Sequence, residues 1–333
     1  MKRRLFIVLV IVVAAAAIVL KASSSADSVD IVIAHFNDLG GRVTLSRDGQ
    51  GGVIRLAGEW RKIQKRHPEA LLFVSGDLIT GSPLSTLTKG EGVFRIANEL
   101  GIDAFAPGNH EFDHGAEQYL RLKEIARFPF LAINMEFSQS REKIRMTDAP
   151  YMMFDVAGIK VGTVGAITPS TPFITFPENT RGVTFNKPSK TLRKIVEKVD
   201  RKAHLVVAIT HLGMRDDRKL ARKVRNIDLI VGGHSYDVTY RPVKVGKTRI
   251  VNAGGNGEYL GVVHVKINPA TEKVLRVSGK MIPVGPDSPT DSGIETLARR
   301  MEQSLGVELD RSICFATKKW IEIAMWGRGS PKL

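Results

Sequence analysis

Cysteine is almost absent: the 333 residues contain one, Cys314. A single thiol excludes an intrachain disulfide and a cysteine-built metal cluster. It reads as a small buried hydrophobe. No cysteine follows the N-terminal apolar run, which excludes a lipoprotein anchor. Aromatic residues make up only 7%, and no block of basic residues is interleaved with them. Nucleic acid is therefore not an expected partner. There is no internal repeat. No apolar run reaches the ~20 residues that a membrane span needs; the longest, Leu5 to Leu20, stops short of it.

What is present fits a globular protein, with 43% hydrophobic and 25% charged residues. The length allows one large domain or two ordinary ones. The net charge of +15 reads as a soluble basic surface. A sharper alternative is a positive potential that draws in phosphorylated substrates or anionic envelope polymers. Lys2-Arg3-Arg4, the apolar run and the polar small-residue stretch Lys21–Ser28 together make the three-part pattern of a secretory signal. Residues 1–26 are thus expected to be a signal peptide, with cleavage near Ser24-Ser25-Ala26. The alternative is an N-terminal membrane anchor through residues 5–20. Either way the expected location is outside the cytoplasm, periplasmic or secreted.

Strand-like runs alternate with helical spacing along the chain. Val29–Phe36, Leu71–Ser75, Asp103–Ala106, Phe130–Asn134, His204–Thr210, Ile227–Val231, Arg249–Ala253 and Gly261–Ile267 read as strands. Met152–Val156 and Lys160–Val164 read as a hairpin that turns at Gly158. Gly52–His67, Val93–Leu100, Gly115–Ala126, Leu192–Val199, Arg215–Val224 and Gly293–Leu305 read as helices. Pro169–Pro188 reads as a long functional rim loop. Its neighbouring Phe173, Phe176 and Phe185 are expected to pack into the core, with substrate stacking as the other option.

Several strand-like runs end in a side chain that can bind metal. Asp38, Asp77, Asn109, His211 and His234 each follow a run closely. If the strands lie side by side, their loops meet where an open α/β sheet holds its ligand. Carboxylate, amide and imidazole together suit Mn, Fe, Zn or a similar divalent ion. The stretch Gly108-Asn109-His110-Glu111-Phe112-Asp113 adds an imidazole free to act on a phosphoryl group, with a carboxylate three residues on to orient it. Glu111 reads as support for that pair. Arg42 and Asn256 lie beside the same strand ends, close enough to be weighed as phosphate contacts. His35, His114 and His204 read as structural or solvent-facing, with His114 near enough to be a spare ligand.

These blocks resemble the calcineurin-like metallophosphoesterases, in the 5′-nucleotidase and 2′,3′-cyclic-nucleotide phosphodiesterase branch. His35-Phe36-Asn37-Asp38 looks like that branch's His-Thr-Asn-Asp block. Gly76-Asp77 with Gly81–Ser85 looks like the second block, and Gly108–Asp113 like the third. His211-Leu212-Gly213 and Gly232-Gly233-His234 look like the last two. The blocks stand in family order from about residue 30 to 268.

The resemblance implies a four-layer αββα sandwich with two mixed sheets, and metal-dependent hydrolysis of nucleotides or other small phosphate esters. It implies Asp77 as a bridging ligand, with Asn109, His211 and His234 completing one metal position and Asp38 belonging to the other. It implies His110 and Asp113 as the catalytic dyad.

Two departures fall on the same metal position. The family's first block reads Asp-x-His, but here it is Asp38-Leu39-Gly40. The last reads Gly-His-x-His, but here it is Gly233-His234-Ser235-Tyr236. One firm site and one weakened site are expected, the second held by Asp38, Asp77, water and Tyr236 as phenolate, or filled only with substrate phosphate. The alternative function is a degenerate member that binds a phosphorylated ligand or partner without efficient turnover. The catalytic domain is expected to span 29–268. Residues 269–333 are left for a C-terminal strand, a linker helix and a tail, with no base-binding domain.

Overall fold

A computed structural model describes residues 28–45, 49–137 and 146–306. The expected signal or anchor at 1–26, Cys314 and the tail from 311 lie outside the described residues.

In chain order the elements are β1 (Val29–Phe36), α1 (Val53–Arg66), β2 (Leu71–Ser75), α2 (Pro83–Leu87), α3 (Glu91–Asn98) and β3 (Ala104–Ala106). A 3-10 turn, His110–Phe112, precedes α4 (Ala116–Ile125). Next come β4 (Met135–Phe137), β5 (Met152–Val156), β6 (Ile159–Ile167), α5 (Thr171–Ile174), β7 (Val183–Phe185) and α6 (Pro188–Asp200). The chain continues through β8 (Leu205–His211), α7 (Met214–Lys223), β9 (Leu229–Gly232), β10 (Val243–Val245), β11 (Thr248–Asn252), β12 (Tyr259–Asn268), β13 (Lys273–Pro283) and α8 (Ser292–Ser304).

Two mixed sheets carry the fold. One runs β13-β12-β1-β2-β3 and the other β10-β11-β9-β8-β6-β5. β1, β2 and β3 are mutually parallel in the first, and β6, β8, β9 and β11 in the second. The central strands are apolar on both faces because both faces are covered. Ile31 and Ile33 of β1, Phe73 of β2 and Ala104 of β3 meet Val207, Ile209, Leu229 and Val251 in a layer between the sheets. The alternate residues Val32, Ala34 and Phe36 face the outer helices and pack with Leu56, Trp60 and Phe94. On the far sheet, Val206 and Ala208 pack outward against Leu192, Val196 and Leu220. The result is helix, sheet, sheet, helix. The period of two along each strand is what lets one sequence serve two apolar layers.

Three readings change. Phe130–Asn134 is not a strand: Phe130 makes one bridge to Phe105, and pairing resumes at β4, which joins β7. Pro169–Pro188 is not a bare loop. It holds α5, a 3-10 turn at Pro177–Thr180, and β7. Phe173 and Phe176 do not pack into the core; they are 87% and 79% exposed, while Phe185 packs on the core against Phe112. The segment after residue 268 is also built into the same body. β13 pairs along the whole of β12, and α8 packs on α1 and α3.

Candidate active site

β1, β2, β3, β8, β9 and β11 end at one edge, and their loops are tied to one another. Asp38 N–H donates to Gly76 O (2.9 Å), Gly40 N–H to Asp77 O (3.0 Å) and Gly41 N–H to Leu78 O (2.7 Å). Gly213 N–H reaches Gly233 O at 3.0 Å. Asp38, Asp77 and His234 all have positive φ (51°, 53° and 80°). This strained backbone is over-determined by the ladder around it, a pattern found at functional sites.

Asp77 stands in the middle. Its Oδ1 accepts the backbone N–H of His110 at 2.9 Å, and its Oδ2 lies 3.0 Å from His211 Nε2. That last pair is close but not aligned as a hydrogen bond, since Nε2 has no hydrogen-bond partner. With the His211 ring charged the two make an ion pair; with the ring neutral they are two ligand atoms side by side. His211 Nδ1 lies 2.7 Å from Ser75 O. Nδ1–H therefore donates to that carbonyl, and Nε2 is the free face. Single ligand atoms of Asp77, His211 and His234 lie within 4.8 Å of one another.

Two further acceptors at this edge are buried without partners: Asp38 Oδ1 and Asn109 Oδ1. A buried polar atom left unpaired costs roughly 1–3 kcal/mol, so three such atoms at one strand edge fit a cation there. Asp77, Asn109, His211 and His234 offer a donor set suited to a divalent ion.

The second metal position does not fit in the same way. Gly40 brings no side chain. Tyr236 lines the cavity and is 51% exposed, but burial of its hydroxyl and the charges of Asp38 and Asp77 push its pKa up, away from phenolate. The Tyr236 hydroxyl is thus a proton donor unless a bound metal displaces its proton. Only Asp38 and Asp77 remain there as ready ligands.

Electrostatics follow the same geometry. Burial pushes Asp38 up to about 7, with Asp77 adding to it and His211 opposing. Burial also opposes the charge of Asp77, but His211 beside it holds its carboxyl well below the usual range. Burial pulls His211 down, yet Asp77 and Asp38 outweigh it and raise the ring to about 10, so a divalent ion binding at Nε2 would displace a proton from it. Burial, with His211 next to it, lowers His234 to about 4, which favours the neutral ring a ligand needs.

His110 lies on the rim. Its Nδ1–H donates to Asp113 Oδ2 at 2.8 Å, and Thr80 Oγ1 donates to the same oxygen. Asp113 O accepts from Asn179 Nδ2 at 2.7 Å, which ties the 3-10 turn at Pro177–Thr180 to the dyad. Glu111 is buried and accepts three backbone N–H groups: Asp77 (3.0 Å), Leu78 (2.8 Å) and Gly108 (2.6 Å). Arg42, Asn256, Gly40, Asp77, His110 and Tyr236 line one cavity of about 480 Å³. His114 is exposed, and His35 is buried in the core with neither ring nitrogen bonded.

Sequence reasoning missed Asn37. Its Nδ2 donates to Asp38 Oδ2 and to Gly254 O, both at 2.6 Å, and its Oδ1 accepts Ala253 N–H at 2.9 Å. It pins the end of β11 to the end of β1. An amide beside a strand-end carboxylate was the available signal. Asn179 carried none, because its contact is long-range.

A sequence profile described as calcineurin-like phosphoesterase matches residues 31–237. The chain is 31% identical over 313 residues to a snake venom 5′-nucleotidase of Gloydius brevicauda, covering 85% of this chain and 53% of that protein. It is 35% identical over 225 residues to a 5′-nucleotidase of Vibrio vulnificus, covering 62% of this chain and 40% of that protein. The crystal structure of a 5′-nucleotidase precursor from Thermus thermophilus is similar, with TM-score 0.75 and 26% identity, over 84% of this chain and 59% of that one. The chain spans about half the length of the curated relatives it matches.

Proposed function

The chain belongs to the calcineurin-like phosphoesterases, in their 5′-nucleotidase branch, and from that premise we propose that it hydrolyses small phosphate esters, nucleotides first among them, with one firmly held divalent ion. The single observation that carries this is the convergence of Asp77, His211 and His234 on one point beside the His110–Asp113 pair, with the unpartnered Asn109 Oδ1 one residue before His110. A divalent ion held there supplies Lewis acidity toward the phosphate and the attacking water.

The other work falls to the chain's own groups. Asp77 and His211 set the charge of the site. Asp113 accepts Nδ1–H of His110 and favours the imidazolium, so the ring also carries an Nε2–H to offer the substrate. As the water oxygen bonds to phosphorus and the ester P–O bond breaks, His110 gives its Nε2 proton to the leaving oxygen, and a proton of the attacking water is released to solvent. Residues 29–268 hold this chemistry, and the elements from 269 to 306 complete the sheet and its helical cover. Export is supported by the Lys2-Arg3-Arg4 and Leu5–Leu20 pattern. Among the described residues no helix is long and apolar enough to cross a membrane.

Metal content of the purified chain, with hydrolysis of an aryl phosphate and a nucleotide panel in Mn, Zn and Fe, tests this reading. About one ion per chain, and turnover that is lost on chelation and in His110→Ala, are expected. A second reading, a binder without turnover, is favoured by Gly40 and Tyr236. It stands if wild type and His110→Ala are equally inert with every metal.

A further inference from the structure

The half-site that lacks two ligands is not simply open. Gly40 and Tyr236 line the same cavity as Asp77 and His110, and Arg42 lines it too. Arg42 brings the one guanidinium among the described residues of that lining, and with His110 it is one of the two side chains there that can be cationic. Its backbone is fixed at both ends: Arg42 N–H donates to Leu39 O (3.1 Å), and Val53 N–H donates to Arg42 O (3.1 Å). Arg42 thus braces the turn that carries Asp38 and Gly40 against the start of α1.

Tyr236 is fixed as well. Its ring lies so close over Gly255 that a Cβ there would fall 2.3 Å from Tyr236 Cδ1. Arg42 and Tyr236 thus line the same cavity from two fixed turns. At Gly40 a Cβ would meet only ordinary contacts, the nearest 3.6 Å from Asn256 Oδ1, though φ is +60°. Crowding therefore does not explain the missing side chain.

A phosphate dianion in this cavity needs positive charge on the side away from His211 and His234. The planar fork of arginine matches two phosphate oxygens at once. We propose that Arg42, with the hydroxyl of Tyr236 as a second donor, binds the phosphate oxygens at the half-site where Gly40 and Tyr236 leave a second cation with only Asp38 and Asp77 as ligands. This rests on the reading of the site as a phosphoesterase centre. It makes Arg42 a substrate-binding residue in a centre with one ion.

The test uses the full chain loaded with Mn, comparing wild type, Arg42→Ala and Arg42→Lys. Three quantities are measured: ions per chain, affinity for inorganic phosphate by calorimetry, and kcat and KM on an aryl phosphate. Arg42→Ala is expected to keep the wild-type ion content and to lose roughly ten- to hundredfold in phosphate affinity, the loss of a hydrogen-bonded charged partner. The loss should appear in KM as well. Arg42→Lys is expected to recover part of the affinity, because the charge returns but the fork does not.

The proposal is overturned if Arg42→Ala binds phosphate as wild type does, or if wild type holds two ions tightly without phosphate. If Arg42→Ala melts early, Arg42→Lys decides alone: wild-type phosphate affinity and KM then overturn the fork, and a raised KM at unchanged ion content supports it. A wild type that neither binds phosphate nor turns over fails the functional reading itself, a result distinct from an active enzyme indifferent to Arg42.

Discussion

The buried carboxylate of Glu111 accepts the backbone N–H of Asp77 at 3.0 Å, and with its other contacts it clasps the loops after β2 and β3 together. The position of Asp77 is thus set by a residue that does not face the substrate. Glu111→Ala leaves three backbone donors unpaired at the base of the site. We expect a loss of about 3 kcal/mol and a fall in metal affinity of roughly ten- to hundredfold, as for other supports of ligands. Thermal melts and metal titration check both. Glu111→Gln is expected to fall between, since it keeps one good acceptor.

His110 gives a pH dependence with a definite sign. Burial pulls the ring down, but the Asp113 hydrogen bond and the Asp77 charge outweigh it and raise the pKa to about 9. The ring is therefore protonated at neutral pH. Its stabilising effect is fully present below its ordinary value of 6.5 and is lost as pH rises through about 9. The alkaline limb of kcat should fall near the same place, because the acid form is the one used. Asp113→Asn should move that limb to lower pH, and His110→Ala should lower kcat roughly 10²–10⁴-fold. A pH–rate profile on an aryl phosphate reads both.

How much was legible in the sequence depended on how strongly burial constrains a segment. β1 was readable to the residue, Val29–Phe36, because both its faces are covered and a polar turn ends it. The central strands of both sheets were readable for the same reason. β13 was harder: it is an edge strand of mixed exposure, and Leu275 is 58% exposed. Phe130–Asn134 has the composition of a strand, but it finds a partner only at Phe130. At the site, Asp77, His211 and His234 could be picked out because each follows a strand end, and the strands bring them within 4.8 Å of one another. Asn37 and Asn179 act through backbone contacts 216 and 66 residues away, and no local pattern encodes such a contact. Nor does local sequence show that burial, with Asp38 and Asp77 adding to it, holds the Tyr236 hydroxyl protonated.

Phe173 and Phe176 separate composition from placement. Both are aromatic and both are mostly in solvent. Phe173→Ser and Phe176→Ser should each change stability by less than about 0.5 kcal/mol, as surface substitutions do. A core role would cost roughly 3–5 kcal/mol on truncation. Melting curves of the two variants decide between these directly. Phe185→Ala, from a ring packed on Phe112 at a centroid distance of 5.5 Å, serves as the contrasting case and should melt earlier than wild type.

Gly233 tests whether the close approach of the two sheets sets the orientation of His211. A Cβ at Gly233 would fall 2.2 Å from Ser75 O and 3.0 Å from His211 Nδ1. Those two atoms are themselves 2.7 Å apart, in the contact that holds the ring with Nε2 toward Asp77. The added methyl cannot be absorbed by a flexible side chain, because its neighbour is backbone. Gly233→Ala should therefore wedge β2 from β9 at their ends and turn His211 off its carbonyl. We expect a loss of about 1–3 kcal/mol from overpacking and a drop in metal affinity of roughly ten- to hundredfold. Gly285→Ala is the control: its Cβ would meet Gln50 Oε1 only at 3.6 Å, and it should change neither quantity. If Gly233→Ala melts earlier yet binds metal as wild type does, the link from Gly233 through Ser75 O to His211 is wrong, and the glycine serves packing alone.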